Sequence, residues 1–121
     1  IMINVTDKKK TVAILLTTHN SEKFLESQIN SILSQRGINV HFYISDDKST
    51  DGTLKIINNF YKKYPKNFKK LFRVNFKHCG KNFFYLISKV PKNYKYYSLS
   101  DHDDFWLSDK LLRAINFIDK G

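Results

Sequence analysis

A chain of 121 residues, 41% hydrophobic and 26% charged, has the length of one domain and enough apolar surface for a core, which excludes the disordered and fibrous classes. No apolar run approaches the ~20 residues that cross a bilayer, and the single cysteine, Cys79, excludes an internal disulfide or a cysteine-based zinc site. The net charge of +10 and pI near 9.7 fit either Lys- and Asn-rich solvated faces or attraction to an anionic membrane surface, nucleic acid or a phosphorylated substrate.

Residues 1–10 carry Asp7 early and lack the apolar stretch of a signal peptide. They read as an N-terminal extension to a domain over 11–121, in a reducing cytoplasm. Residues 12–17 are apolar almost throughout, as a strand buried on both faces should be. Asn20-Ser21 offers an N-cap, and Phe24, Leu25, Gln28, Ile29, Ile32 and Leu33 follow at helical spacing, with Gly37 as the stop. Residues 40–45 predict a second strand. Asp51-Gly52-Thr53 opens a second helix striped by Leu54, Ile57, Phe60, Tyr61 and Tyr64, which Pro65 ends. A weaker third strand is predicted over 71–76, a turn at Cys79-Gly80, and a helix over 81–89. Residues 94–100 predict a fourth strand, and Leu111, Leu112, Ile115 and Ile118 a last helix. Regular alternation of strand and helix implies right-handed crossovers and a mostly parallel α/β sheet with helices on both faces.

In such sheets ligands bind outside the carboxyl ends of the strands. The segments expected there are Thr17-Thr18-His19-Asn20, Asp46-Asp47-Lys48-Ser49, residues 77–82 and residues 101–106, which hold most of the chemistry-capable side chains. Asp101-His102-Asp103-Asp104 gathers three carboxylates directly after a strand, where a divalent cation with oxygen preference would relieve their repulsion. The alternative is an acidic turn whose last Asp, or Ser108, caps the next helix. Asp46 and Asp47 stand at a strand tip, where a carboxylate can accept a pyrimidine N3–H and bond ribose, or only order the loop; at least one of them is expected to do the latter. Lys81 and Asn82 open a helix after Gly80, where amides favour phosphate, although Lys81 also reads as a surface lysine. His19 reads as a ring that stacks on a base or shields the strand end. His78 and Cys79 read as turn or packing residues.

Absences narrow the choice. There is no Gly-x-Gly-x-x-Gly, no Gly-x4-Gly-Lys-Ser/Thr and no Gly-x-Ser-x-Gly. The first strand is followed by Thr18-His19-Asn20, and neither a phosphorelay acidic pair nor a Gly-rich nucleotidyltransferase loop occurs there.

Leu15-Leu16-Thr17-Thr18-His19-Asn20 with Phe24-Leu25-Glu26-Ser27-Gln28-Ile29, then Ile44-Ser45-Asp46-Asp47 through Asp51-Gly52-Thr53, Gly80-Lys81-Asn82-Phe83 and Asp101-His102-Asp103-Asp104-Phe105-Trp106 occur in this order. In these motifs the chain resembles the amino-terminal half of family 2 glycosyltransferases, of GT-A fold, and within them the bacterial rhamnosyltransferase-like branch. The resemblance implies that Thr17, His19, Asp46 and Asp47 serve the nucleotide base and ribose, and that Lys81 faces the donor. It further implies that Asp101 and Asp103 hold Mn2+ or Mg2+ on the donor diphosphate. His19 departs from the family's usual Tyr, Lys48 from a small or polar residue and His102 from the branch's Gln; no carboxylate is lost.

The implied function is inverting transfer from a UDP- or dTDP-sugar to a glycan or lipid-linked acceptor of surface polysaccharide or lipopolysaccharide. The expected location is cytoplasmic, peripheral at the inner face of the membrane. Family members continue well past the Asp-x-Asp loop into a half that carries the acceptor site and catalytic base. The chain is accordingly expected to be truncated one helix after that loop, to lack the base and to self-associate along an open sheet edge. A non-catalytic nucleotide-sugar-binding fragment is the alternative, with a basic nucleic-acid binder behind it; no specific nucleic acid is expected.

Overall fold

The computed structural model describes residues 10–100 and 110–120. In chain order the elements are β1 (Lys10–Thr18), α1 (Leu25–Leu33), β2 (Ile38–Asp47), α2 (Thr53–Lys63), β3 (Phe68–Val74), α3 (Cys79–Lys89), β4 (Tyr96–Ser100) and α4 (Lys110–Lys120). The strands form one sheet in the order β3-β2-β1-β4, and every pairing is parallel. The expected α/β architecture is therefore present.

The order explains why β1 reads as a continuous apolar run. Its alternate residues Val12, Ile14 and Leu16 join a core with Leu25, Ile29 and Ile32 of α1, Ile57 and Phe60 of α2, and Leu111 and Ile115 of α4. Ala13 and Leu15 point the other way, to Leu86 and Val90 at α3. The chain moves outward from β1 to β2 to β3, then returns to the far side of β1. Right-handed crossovers then put α1 and α2 on one face and α3 on the other. The reversal lies between β1 and β4, which makes that crevice the topological switch point.

Element ends shift from the expected bounds, with β1 and β2 longer and β4 starting at Tyr96, and three of the differences have clear local reasons. The third strand begins at Phe68, earlier than predicted, because the Phe68 ring stacks on the buried Phe42 with centroids 4.4 Å apart and Phe42 donates its amide to Asn67 O at 2.6 Å. Cys79-Gly80 forms the first turn of α3, whose cap is His78: its Nδ1 accepts from Lys81 N at 3.2 Å. Gly80 suits that cap, since a Cβ there would stand 3.0 Å from His78 Cε1. Asn20 does not cap α1, which starts at Leu25 without a side-chain cap. Its backbone takes φ 47, and its side chain is engaged elsewhere.

Among the described residues no helix is long and apolar enough to cross a membrane. At the amino edge α4 is held by an ion pair between Lys10 and Asp119 and by the Tyr96 hydroxyl, which donates to Asp119 Oδ1 at 2.7 Å.

Candidate functional site at the carboxyl edge

The carboxyl ends of β1, β2 and β3 each lead into a residue with left-handed backbone that is not glycine: Asn20 at φ 47, Lys48 at φ 46 and Lys77 at φ 54. Such conformations cost roughly 1–3 kcal/mol each and persist only where surrounding contacts over-determine them. Those contacts are present. Asn20 Oδ1 accepts from Thr50 N at 2.8 Å, Asn20 N donates to Ser49 Oγ at 2.9 Å, and Ser21 N donates to Thr53 Oγ1 at 2.7 Å. Together they fasten the β1–α1 loop to the β2–α2 loop. Asp51 accepts the Thr53 amide at 3.0 Å at the start of α2, the structural role expected of it.

The two aspartates of β2 point to opposite faces, and both are engaged by protein donors. Asp46 is fully buried. Its Oδ1 accepts from Thr18 Oγ1 and Ser49 Oγ, each at 2.6 Å, and its Oδ2 from Ser49 N at 2.9 Å. Asp47 gathers three successive amides of the β3–α3 loop: Phe76 N at 2.8 Å and Lys77 N at 3.2 Å on Oδ1, and His78 N at 3.1 Å on Oδ2. Hydrogen bonds to a charged acceptor are each worth about 1.5–3 kcal/mol net. A buried carboxylate with three donors is therefore a strong tie between neighbouring strand ends.

The exposed His19 ring is fixed to the same edge, because its Nδ1–H donates to the Asp47 carbonyl at 2.5 Å. This sets the tautomer and leaves Nε2 as an acceptor. Thr17, buried at the end of β1, lies in register with Ser45 on the side of the sheet that faces α3. There Asn82, 1% exposed, donates Nδ2 to Ser45 O at 3.0 Å. Asn82 Oδ1 and Ser45 Oγ are buried without a hydrogen-bond partner among the described residues. Lys81, in the first turn of α3, is exposed at the mouth of this edge.

The structure thus brings Thr17, His19, Asp46, Asp47 and Lys81 to one edge. The expected metal pair Asp101 and Asp103, with His102 and Asp104, lies outside the described residues. Among the described residues no group of three or more His, Cys, Asp or Glu side chains is arranged to hold a metal. Residue-by-residue reading missed Thr18 as the Asp46 donor, Asn20 as the inter-loop tie and His78 as the α3 cap. The preference of Asn for left-handed backbone was the one local signal available for Asn20.

Locked strand ends that present a ring, polar groups and a cation stand at the carboxyl edge, where parallel α/β sheets carry their ligands. Comparison with known proteins makes this specific. The family model for glycosyl transferase family 2 matches residues 13–121, and the chain belongs to that family. It is 43% identical over 103 residues to the dTDP-rhamnosyl transferase RfbG of Shigella flexneri, covering 84% of this chain and 36% of that protein. It is 30% identical over 110 residues to the abequosyltransferase RfbV of Salmonella typhimurium, covering 89% and 32%. Among solved structures, S. aureus TarS 1–349 in complex with UDP-GlcNAc superposes with TM-score 0.76 at 26% identity, over 91% of this chain and 31% of that one. The fold is the GT-A arrangement of these glycosyltransferases, and the chain spans about a third of the length of the relatives it matches.

Proposed function

We propose that the carboxyl edge binds a UDP- or dTDP-linked sugar, and that the whole protein transfers the sugar with inversion to a glycan or lipid-linked acceptor on the cytoplasmic side of the membrane. The observation that carries this reading is the convergence of three strained, mutually bonded strand ends on one edge. Pre-built loops of that kind hold a ligand without further ordering cost. Family membership, the name of RfbG and the UDP-GlcNAc bound to TarS support the choice of ligand.

The roles divide by position. Thr17 and Asp47 lie on the α3 side of the strand ends and take the base and ribose, with His19 stacking on the base and Asp46 holding the Thr18–Ser49 corner beneath it. Lys81, beside the amides that open α3, faces the donor diphosphate. The family resemblance assigns a cation to Asp101 and Asp103, hard oxygen donors suited to Mg2+ or Mn2+. When bound, the ion would neutralise charge on the diphosphate. In the transfer the acceptor hydroxyl oxygen bonds the anomeric carbon as the bond to the diphosphate oxygen breaks. Lys81 balances charge on the departing group, and a base outside these residues takes the hydroxyl proton.

A thermal-shift and calorimetric series tests this. UDP or dTDP with manganese is expected to stabilise the domain by about 2–3 kcal/mol near a hundredfold excess over Kd, and Asp103→Asn to abolish the gain. UDP is expected to exceed ADP in affinity by roughly ten- to a hundredfold, the worth of one charged hydrogen bond to a pyrimidine N3–H. An unmoved melting temperature with every nucleotide and metal tested would remove the donor site from this edge.

A further inference from the structure

The distribution of charge is more uneven than the net value conveys. Residues 52–100 contain no Asp or Glu, yet hold twelve of the 21 Lys and Arg residues, all exposed. Those on β3 have a local use, since Lys69, Lys70 and Arg73 guard an edge strand against pairing with another chain. The cations around α3 have no edge to guard. α3 buries Asn82 and Leu86 against the sheet, and on the outward side Phe84 is 76% exposed and Ile87 40%. Lys77 and Lys81 flank this apolar centre at one end of the helix, and Lys89 and Lys92 at the other. Among the described residues the only acid on this side of the sheet is Asp47, buried and engaged by three amides.

From this face we infer that α3 docks the domain on an anionic bilayer surface, Phe84 and Ile87 entering the headgroup boundary and Lys77, Lys89 and Lys92 meeting lipid phosphates, while Lys81 stays with the donor. An apolar ridge between cations is the pattern of a helix lying in the plane of a membrane interface. It suits nucleic acid less well, because the branched aliphatic Ile87 gives a base nothing to stack on. The purpose of docking rests on the lipid-linked acceptor proposed above. The first turn of α3 stands at the carboxyl edge, so an α3 lying on the bilayer brings the donor site beside lipid-borne hydroxyls.

The test is sedimentation of the full 121-residue chain with vesicles of phosphatidylcholine alone or of equal parts phosphatidylcholine and phosphatidylglycerol. Binding is expected only to the anionic vesicles and to weaken with salt. Lys89→Ser with Lys92→Ser should lower it by about 25-fold, or about fivefold per cation. Phe84→Ser should lower it by about tenfold without changing the salt dependence. Lys55→Ser with Lys62→Ser removes the same charge from α2 on the opposite face and should leave binding within about twofold. Equal loss in the two double variants, no effect of Phe84→Ser, tighter binding to duplex DNA, or self-association without vesicle binding would each overturn the proposal. Nucleotide binding measured on the same samples separates the two readings: lost vesicle binding with retained UDP binding refutes docking alone, and the converse refutes the donor site alone.

Discussion

His78 donates its backbone amide to Asp47 Oδ2 at 3.1 Å across 31 positions of sequence, while its side chain caps α3. One residue thus ties the end of β2 to the first turn of the helix on the opposite layer.

Replacing Asp47 by Asn keeps the shape but leaves one acceptor oxygen for three amides and removes the charge. The domain is expected to lose about 2–3 kcal/mol in urea denaturation. Faster hydrogen exchange should be confined to the amides of Phe76, Lys77 and His78. Unchanged protection at those three positions would contradict the tie.

The His19 ring is exposed and tied to the protein through Nδ1, while its backbone bonds to Ser21 Oγ survive truncation of the side chain, so removing the ring is expected to affect the ligand more than the fold. His19→Ala is expected to leave the melting temperature nearly unchanged and to weaken UDP or dTDP by about 1–2 kcal/mol, the range of a base-stacking contact. Calorimetry reads both quantities, and full affinity in the variant would take the ring out of the base site.

Ser45 makes the opposite case. Its hydroxyl is fully buried and has no partner among the described residues, so it carries a desolvation cost without a compensating bond. Ser45→Ala is expected to be neutral or to stabilise the domain by up to about 1 kcal/mol. A loss of stability in urea would show that the hydroxyl is bonded to a buried water.

The pH response centres on His41. Its Nε2 accepts from Asn39 Nδ2 at 3.2 Å, and its Nδ1 donates to the Tyr94 hydroxyl at 2.7 Å. Protonation would set an N–H against the Asn39 amine. Burial, and then the charge of Lys69, hold the imidazole below its ordinary value of 6.5. Between the lowered folded value and 6.5 the unfolded chain binds more protons than the folded one, so stability falls as pH drops through that window. His41→Gln should flatten this part of the stability–pH curve; identical slopes in the two proteins would place the titration elsewhere.

The layers were legible in the sequence because they depend on local period. Val12 to Leu16 and the Leu25, Ile29, Ile32 stripe carry their burial in their spacing. The start of β3 was not legible, because Lys69 and Lys70 interrupt the apolar pattern on an edge strand, and a register irregularity falls at its pairing with Phe42 and Tyr43. At the candidate site, the positions of Thr17, His19, Asp46, Asp47 and Lys81 followed from where strands end. Their partners did not. Thr18 lies 28 positions from Asp46, and the amides on Asp47 lie 29 to 31 positions away, beyond any spacing rule.

The strand order has a consequence for synthesis. Of the four described strands β1 leaves the ribosome before the others, yet one of its two neighbours, β4, is the last of the four to appear: Val12 to Leu16 pair with Tyr96 to Ser100. Until that stretch emerges, β1 has β2 on one side and an open row of backbone donors and acceptors on the other. Closing such a distant pairing is slow compared with forming the helices between. A nascent chain stalled before residue 96 therefore offers its most apolar strand as a template for intermolecular pairing, and the arrival of a five-residue strand ends that exposure.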